Sequence, residues 1–331
     1  MNLKGKVVNS DLNKIAEISK IIKESKTFFI AGHVRPDGDS LGSALALLSF
    51  LNRIGKEAYV YCKDEVPTYL RFLHGSNKIK VAAKKTDFFD CGIILESLNF
   101  ARMGGIITPS QVKKIINIDH HQTHTNFGDV NYVVPKSSST AELIVNIFEF
   151  MKVKLTKTEA ECLYTGIVTD TGRFQNTNTT ANSHIACAKL MRYNIDVNKV
   201  HKQIYESTSL PSLKLQGFGL CNMKLIFNGK VSYIVLTKEM FKKSKANYND
   251  SKGIINYTLR VQGVRVGCVF KEINKKSTRV SLRSIKSVNL LNIVKQFDGG
   301  GHKNAAGCTI NAGINRAIKM IFEVLEEKFD G

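Results

Sequence analysis

The tightest constraint on this 331-residue chain is the passage from Thr27 to Leu51. Thr27-Phe28-Phe29-Ile30-Ala31 is a short, apolar, aromatic-rich run of the kind that forms a buried strand. Ser43-Ala44-Leu45-Ala46-Leu47-Leu48-Ser49-Phe50-Leu51 reads as a mostly buried helix. Between them lies Gly32-His33-Val34-Arg35-Pro36-Asp37-Gly38-Asp39-Ser40-Leu41-Gly42. This tight loop places an imidazole and two carboxylates at the C-terminal end of a strand, where open α/β sheets place their ligands. Pro36 and the glycines at 38 and 42 fix the turn and admit close backbone approach. A His with acids four and six residues on suits a divalent metal, or a pair of them. The alternative is a polar loop ending in a helix N-cap aspartate.

The alternation continues along the chain. An apolar stripe at helical spacing (Leu12, Ile15, Ile18, Ile21, Ile22) predicts a helix over 12–24. Further strands are predicted at 58–62, 92–95, 115–118 and 130–134. Helices are predicted to about residue 53, at 67–73, from Thr140 to about Met151, from after Thr156 to 169–172, and over 180–193 and 196–206. Breaker residues concentrate at 207–217, and the pattern then changes. Strands are predicted at 222–228, 231–237, 264–272 and 278–285, with helices at 251–261, 289–297 and 314–329. The expected class is α/β: an N-terminal, mostly parallel sheet flanked by helices, then a smaller C-terminal α/β domain, with a cleft between them. The boundaries are residues 1–195 for the first domain, 196–217 for a helical linker and 218–331 for the second domain.

A net charge of +20 favours polyanionic partners, nucleic acid or nucleotides before an acidic membrane, although an AT-biased genome also yields Lys-rich surfaces. The lysines of 242–252 and the pair Lys275-Lys276 read as solvated faces. The seven cysteines are scattered without a C-x-x-C pair, which argues for a reducing compartment and against a zinc ribbon. With no N-terminal signal and no apolar run long enough to span a bilayer, the chain is expected to be soluble and cytoplasmic, with no membrane partner. A homodimer is compatible with the sequence, which does not specify oligomeric state.

Four separate strand or helix ends present metal-type ligands: His33, Asp37 and Asp39; Glu96; Asp119, His120 and His121; and Asp170. Each alone has an ordinary explanation as a cap or a solvated loop. Together, three ends of one parallel sheet would point the same way, all carrying carboxylate or imidazole. Such a set, without thiolate, suits Mn²⁺ or Mg²⁺.

Five stretches in this order carry a resemblance. They are HVRPDGDSLGS at 33–43, the acid after the third strand, DHH at 119–121, TGIVTDTGRF at 165–174, and SLRS at 281–284 with FDGGGHKNAAG at 297–307. The chain resembles the DHH phosphoesterase superfamily with its DHH-associated C-terminal domain, in the bacterial oligoribonuclease and pAp-phosphatase branch, which includes cyclic-di-AMP phosphodiesterase relatives. The resemblance implies two Mn²⁺ ions, with Mg²⁺ or another divalent ion as substitutes. His33 and Asp37 would hold one, Asp39, His120 and Asp170 the other, and Glu96 would stand at the bridging position. The family normally has Asp there, so this chain departs from it by one bond of reach. Asp90, before the third strand, is a poor substitute. Asp119 would orient a neighbouring imidazole, and His121 would bind a phosphate oxygen or protonate the leaving oxygen. Arg283 and the loop Gly299, Gly300, Gly301, His302 would grip the far nucleotide, the glycine amides forming an anion nest.

The implied function is metal-dependent hydrolysis of short RNA or linear dinucleotides (nanoRNA, pApA, pAp) to nucleoside monophosphates. Cyclic-di-AMP hydrolysis is the alternative within the family. A nucleotide-binding protein with a metal pair impaired at Glu96 is the alternative outside catalysis.

Overall fold

A computed structural model describes residues 9–97, 99–121, 125–285 and 288–329. The chain divides into two compact units, one ending at Ser207 and the other beginning at Thr208.

The first unit runs α1 (Asn9–Glu24), β1 (Thr27–Ala31), α2 (Gly38–Arg53), β2 (Glu57–Tyr61), β3 (Phe89–Leu95), β4 (Val112–Asp119), β5 (Val130–Val133), α3 (Thr140–Phe150), α4 (Lys157–Asp170), α5 (Ala181–Met191) and α6 (Val197–Tyr205). The five strands pair in parallel in the order β2-β1-β3-β4-β5. Strand order therefore reverses between β1 and β3, and the crevice beyond their carboxyl ends is the natural ligand position in such a sheet. Alternation along β1 sorts the core. Phe28 and Ile30 join the larger apolar cluster with Leu45 of α2, Ile144 of α3 and Ile167 of α4. Phe29 and Ala31 face the other side, among Tyr61, Phe89, Met103 and Ile107. That second face is covered by the irregular segment around residues 100–111, with short 3₁₀ turns, rather than by long helices.

Helix α2 begins at Gly38, five residues before its apolar periodicity, so the predicted loop is shorter than it reads. The reason is local. Asp37 Oδ1 accepts from the N–H groups of Asp39 and Ser40 at 3.1 and 3.0 Å and closes the first turn. Helix α4 approaches α2 through missing side chains. A Cβ on Gly42 would lie 2.3 Å from the Cys162 carbonyl oxygen. One on Gly166 would lie 2.6 Å from Ala141 Cβ and 2.8 Å from Asp39 Oδ1. At the other end of this pair, buried Glu159 accepts from Arg53 Nη2 at 3.1 Å and Ser49 Oγ at 3.0 Å.

Gly166→Ala is therefore expected to push α4 away from α2 and to displace Asp39. Overpacking of this kind costs about 1–3 kcal/mol, which corresponds to a midpoint lowered by about 3–10 °C. A melting curve with unchanged midpoint would show that the helices have slack the packing does not reveal.

The second unit runs α7 (Leu210–Cys221), β6 (Lys224–Ile226), β7 (Val231–Leu236), α8 (Lys238–Ser244), α9 (Ile255–Thr258), β8 (Val266–Asn274), β9 (Ser277–Ser284), α10 (Leu290–Val294), β10 (Gly300–His302), β11 (Ala305–Ile310) and α11 (Ile314–Glu326). Its sheet has the order β10-β11-β9-β8-β7-β6, and β7/β8 is its parallel pair. One face packs Cys268, Phe270, Val280 and Leu282 with Ala317, Ile321 and Leu325 of α11. On the other, Leu215 of α7 and Ile254 and Ile255 near α9 join Ile234, Leu236 and Val269 of β7 and β8.

Several expectations change here. Much of the breaker-rich stretch 207–217 is helix α7, because Ser209 caps it and Pro211 sits in its first turn, where its missing N–H costs nothing. The helix expected over 251–261 is confined to a 3₁₀ turn at 248–251 and the four residues of α9. Helix α8 and the hairpin of β10 and β11 were not foreseen. Among the described residues no helix is long and apolar enough to cross a membrane.

Candidate metal centre

Two groups of ligand-type atoms gather at the carboxyl edge of the first sheet, each within 4.8 Å of one another: His33, Asp37 and Glu96, then Asp39, His120 and Asp170. Every one of the six residues expected as ligands is in one of them.

His33 follows β1. Its Nδ1–H donates to the Val34 carbonyl at 2.7 Å, which turns Nε2 towards Asp37 Oδ2 and Glu96 Oε2, both at 3.8 Å. The neighbouring Asp37 carboxylate raises the His33 pKa, against the opposing effect of burial. Asp37 is held below its ordinary value, burial being outweighed by His33 and the amides of α2.

Asp39 is fully buried and anchored by α3. Its Oδ2 accepts from Thr140 N–H at 2.7 Å and its Oδ1 from Ala141 N–H at 2.8 Å. Those amides are spare donors of a helix first turn, which also favours the negative charge. His120 lies past the end of β4, with Nε2 3.9 Å from Asp39 Oδ2, 3.7 Å from Asp170 Oδ2 and 3.5 Å from Glu96 Oε1. Asp170 ends α4, and Asn178 Nδ2 donates to its Oδ2 at 2.8 Å.

Glu96 connects the groups. It follows β3 with φ of 51°, a left-handed backbone that is uncommon outside glycine. It is 2% exposed, and it turns Oε2 to His33 and Oε1 to His120. Asp90 lies at the opposite end of β3, where it accepts from the N–H groups of Lys26 and Thr27 and pairs with Lys113 at 2.9 Å. It cannot replace Glu96.

The donor set fits a cation. Glu96 Oε2 and His120 Nε2 are buried without a hydrogen-bond partner, an unusual cost for polar atoms unless something else meets them. Burial, then the charges of Asp39 and Asp37, push Glu96 well above its ordinary value, and the same causes push Asp170 up to about 8. Carboxylates and imidazoles without a thiolate suit a hard or borderline ion.

With Asp170 raised to about 8, metal-free protein at neutral pH favours a proton on this carboxyl, which a divalent ion must displace. Titration at pH 7 in weak buffer should therefore release at least one proton, with affinity rising as the pH approaches 8. Binding without proton release would contradict this. For the metal-free protein the sign is also determined. The raised carboxyls favour folding while protonated, so their contribution is lost as pH climbs from the unfolded carboxylate range through about 8.

The profile of the DHH family N-terminal domain matches residues 27–167, and that of the DHHA1 domain matches residues 228–328. The chain is 31% identical to the bifunctional oligoribonuclease and PAP phosphatase NrnA of Thermus thermophilus, over 95% of this chain and 93% of that protein. It belongs to the DHH family. The Bacillus subtilis protein of the same name is 29% identical over 89% of this chain and 92% of its own. The crystal structure of an exopolyphosphatase-related protein from Bacteroides fragilis superposes with a TM-score of 0.88 at 28% identity, covering 98% of both chains.

In this DHH chain the triplet at 119–121 splits in direction. His120 faces the acids. Asp119 Oδ1 accepts from the N–H groups of His120 and His121 at 2.7 and 2.9 Å and from His121 Nδ1–H at 2.7 Å. Burial pushes Asp119 up, but these bonds outweigh it and hold the carboxyl below its ordinary value. The same bond raises the pKa of the half-exposed His121, against burial.

The DHHA1 residues lie in the second unit. Arg283 stands half-buried on β9. The glycine run differs from the expected nest. Gly300 and Gly301 pair with Gly307 and Ala306 as an edge strand, so successive amides alternate in direction instead of converging. The Gly299 N–H is spent on the Val294 carbonyl at 2.8 Å. The side chain of His302 lies outside the described residues.

Sequence reasoning missed Asn178 and the Thr140 and Ala141 amides. Asn178 carries no signal. The amides do: a capped helix start at Ser139 is a standing anion site.

Proposed function

We infer that the chain is a metal-dependent phosphodiesterase that hydrolyses short oligonucleotides and linear dinucleotides to nucleoside monophosphates. One observation carries this reading: Glu96 turns one oxygen towards each of two ligand groups, as a carboxylate shared by two cations must. The names of the Thermus and Bacillus relatives support the oligoribonuclease and PAP phosphatase class ahead of cyclic-di-AMP. Two Mn²⁺ ions are the occupants we propose, with His33 and Asp37 on one, Asp39, His120 and Asp170 on the other, and Glu96 on both. When bound, such ions sharpen a water towards hydroxide and screen the phosphoryl oxygens.

The chain's own residues do the rest. His121, half-exposed and with its Nδ1–H committed to Asp119, donates a proton from Nε2 to the leaving oxygen. Asp119 keeps that ring oriented and charged. Arg283 and His302, beside the edge strand of Gly300 and Gly301, grip the substrate's far end, so the first unit is catalytic and the second binds substrate. A cytoplasmic location belongs to the same reading, supported by seven cysteines that are all free. So does a homodimer.

The test is a panel: purified protein with and without Mn²⁺, on a short RNA, linear diadenylate, pAp and cyclic-di-AMP, read by product chromatography. Metal-dependent monophosphate release from the linear substrates is expected, with cyclic-di-AMP slower. Tight nucleotide binding without turnover would favour a binding protein and sink the enzyme.

A further inference from the structure

The second unit's sheet carries, on the same face as Arg283, a basic row that the proposed reaction does not use. Val280 and Leu282 of β9 point into the core with α11, so Arg279, Ser281 and Arg283 point to the other side. There α7 and the residues around α9 pack over β7 and β8, and β9 and β11 stand outside that cluster. Register sets out the rows on this side. Lys271, Arg279 and Thr309 are paired neighbours, then Val269, Ser281 and Gly307, then Gly267, Arg283 and Ala305.

The first row is built to meet an anion. Arg279 Nη1 donates to Thr309 Oγ1 at 3.2 Å. The guanidinium lies across β11 over Gly307, where a Cβ would touch Arg279 Nη2 at 3.4 Å. Lys271 is half-buried, donates from Nζ to Ser251 Oγ at 3.2 Å and lies 4.4 Å from the centre of the Tyr248 ring. Among the described residues neither cation has a carboxylate within ion-pair distance. The near acids are engaged elsewhere. Glu272 alternates to the opposite side of β8 and accepts from Lys238 N–H, and Asp250 accepts from Asn247 N–H and Ser209 Oγ. Burial, Arg279 and Lys252 all push the Lys271 ammonium down, a strain that an anion would relieve. Tyr248 is 44% exposed and backed by Phe241, stacked at 6.2 Å and 13°. A rigid, accessible ring beside unpaired cations is the composition of a single-strand platform: cations for phosphate, ring for base.

We propose that this face holds one further nucleotide of a single-stranded oligonucleotide, with Arg279 and Lys271 on its phosphate and Tyr248 on its base. Arg279 and Arg283 stand four residues apart on one side of β9, about 13 Å at the strand rise. The proposal rests on the oligonucleotide reading and deepens it. Arg283 takes the nucleotide that every substrate has, and the Arg279 row takes one that only longer substrates have. The face would then set how strongly the enzyme prefers a short chain over a dinucleotide.

The experiment compares Arg279→Gln, Lys271→Met and Tyr248→Ala on a dinucleotide and a pentanucleotide, with thermal melts to show intact folding. The ratio of pentamer KM to dinucleotide KM should rise about tenfold for Arg279→Gln or Tyr248→Ala, within the range of one lost stacking or phosphate contact. The salt slope of pentamer binding should fall by about one for either cation. An unchanged ratio overturns the proposal, whether both substrates weaken together or neither does. Fluorescence anisotropy of a labelled pentamer on metal-free protein reads the same residues without turnover. If wild type hydrolyses nothing yet the variants weaken pentamer binding, the phosphodiesterase reading fails and the track stands. Equal capture of an acidic peptide by this face would overturn the nucleic-acid assignment.

Discussion

His120→Ala is expected to lower kcat/KM on a linear dinucleotide about 10³-fold or more and to remove one of two bound ions. The loss equals about 4 kcal/mol of transition-state stabilisation. The size follows from position. His120 Nε2 lies between 3.5 and 3.9 Å from carboxylates on three different elements, and nothing hydrogen-bonds it. Alanine leaves those acids facing one another with a ligand gone, so the second ion has no site. Metal analysis and product chromatography on the same preparation read both effects. Two retained ions with turnover within tenfold of wild type would mean that His120 is a bystander.

Glu96→Gln comes next, at about 10²- to 10³-fold in turnover and at least about 10²-fold in affinity for the second ion. Gln keeps the length and removes the charge, and it offers an amide N–H₂ to one of the two imidazoles. Glu96→Asp separates charge from reach. It keeps the carboxylate and suits the left-handed backbone at φ 51°, but draws the oxygens back by a bond. It should lose less than Gln, with the loss concentrated in ion affinity. Wild-type rate and two ions in Glu96→Gln would remove the shared carboxylate from the scheme.

Much of the candidate metal centre was readable because side chains at strand ends follow from continuous apolar runs, the mark of strands buried on both faces, and such runs are short and plainly bounded here. Thr27–Ala31 is the strand the pattern predicts, and β3 and β4 end next to Glu96 and at Asp119 as expected. The start of α2 was less visible, since Gly38, Asp39 and Ser40 are poor helix formers and only the Asp37 cap draws them in. Irregular cover over the second sheet face has no periodicity to detect. In the second unit, Gly299–His302 has the composition of a turn, and pairing with β11 overrides it. Pro211 marked a break where, one residue into a capped helix, it marks a beginning. Partners such as Asn178 stay hidden because a single amide has many uses and its neighbourhood is purely tertiary.

The proposed ligands run from His33 to Asp170, spread over most of the first unit's length, and they meet at one sheet edge. On that proposal no fragment of the unit can hold the ions, and a chain caught half-assembled on the ribosome or by a protease would be inert. Occupancy of this edge would then amount to a quality check on the whole unit, with hydrolysis switching on only after β1, β3, β4 and α4 have all taken their places.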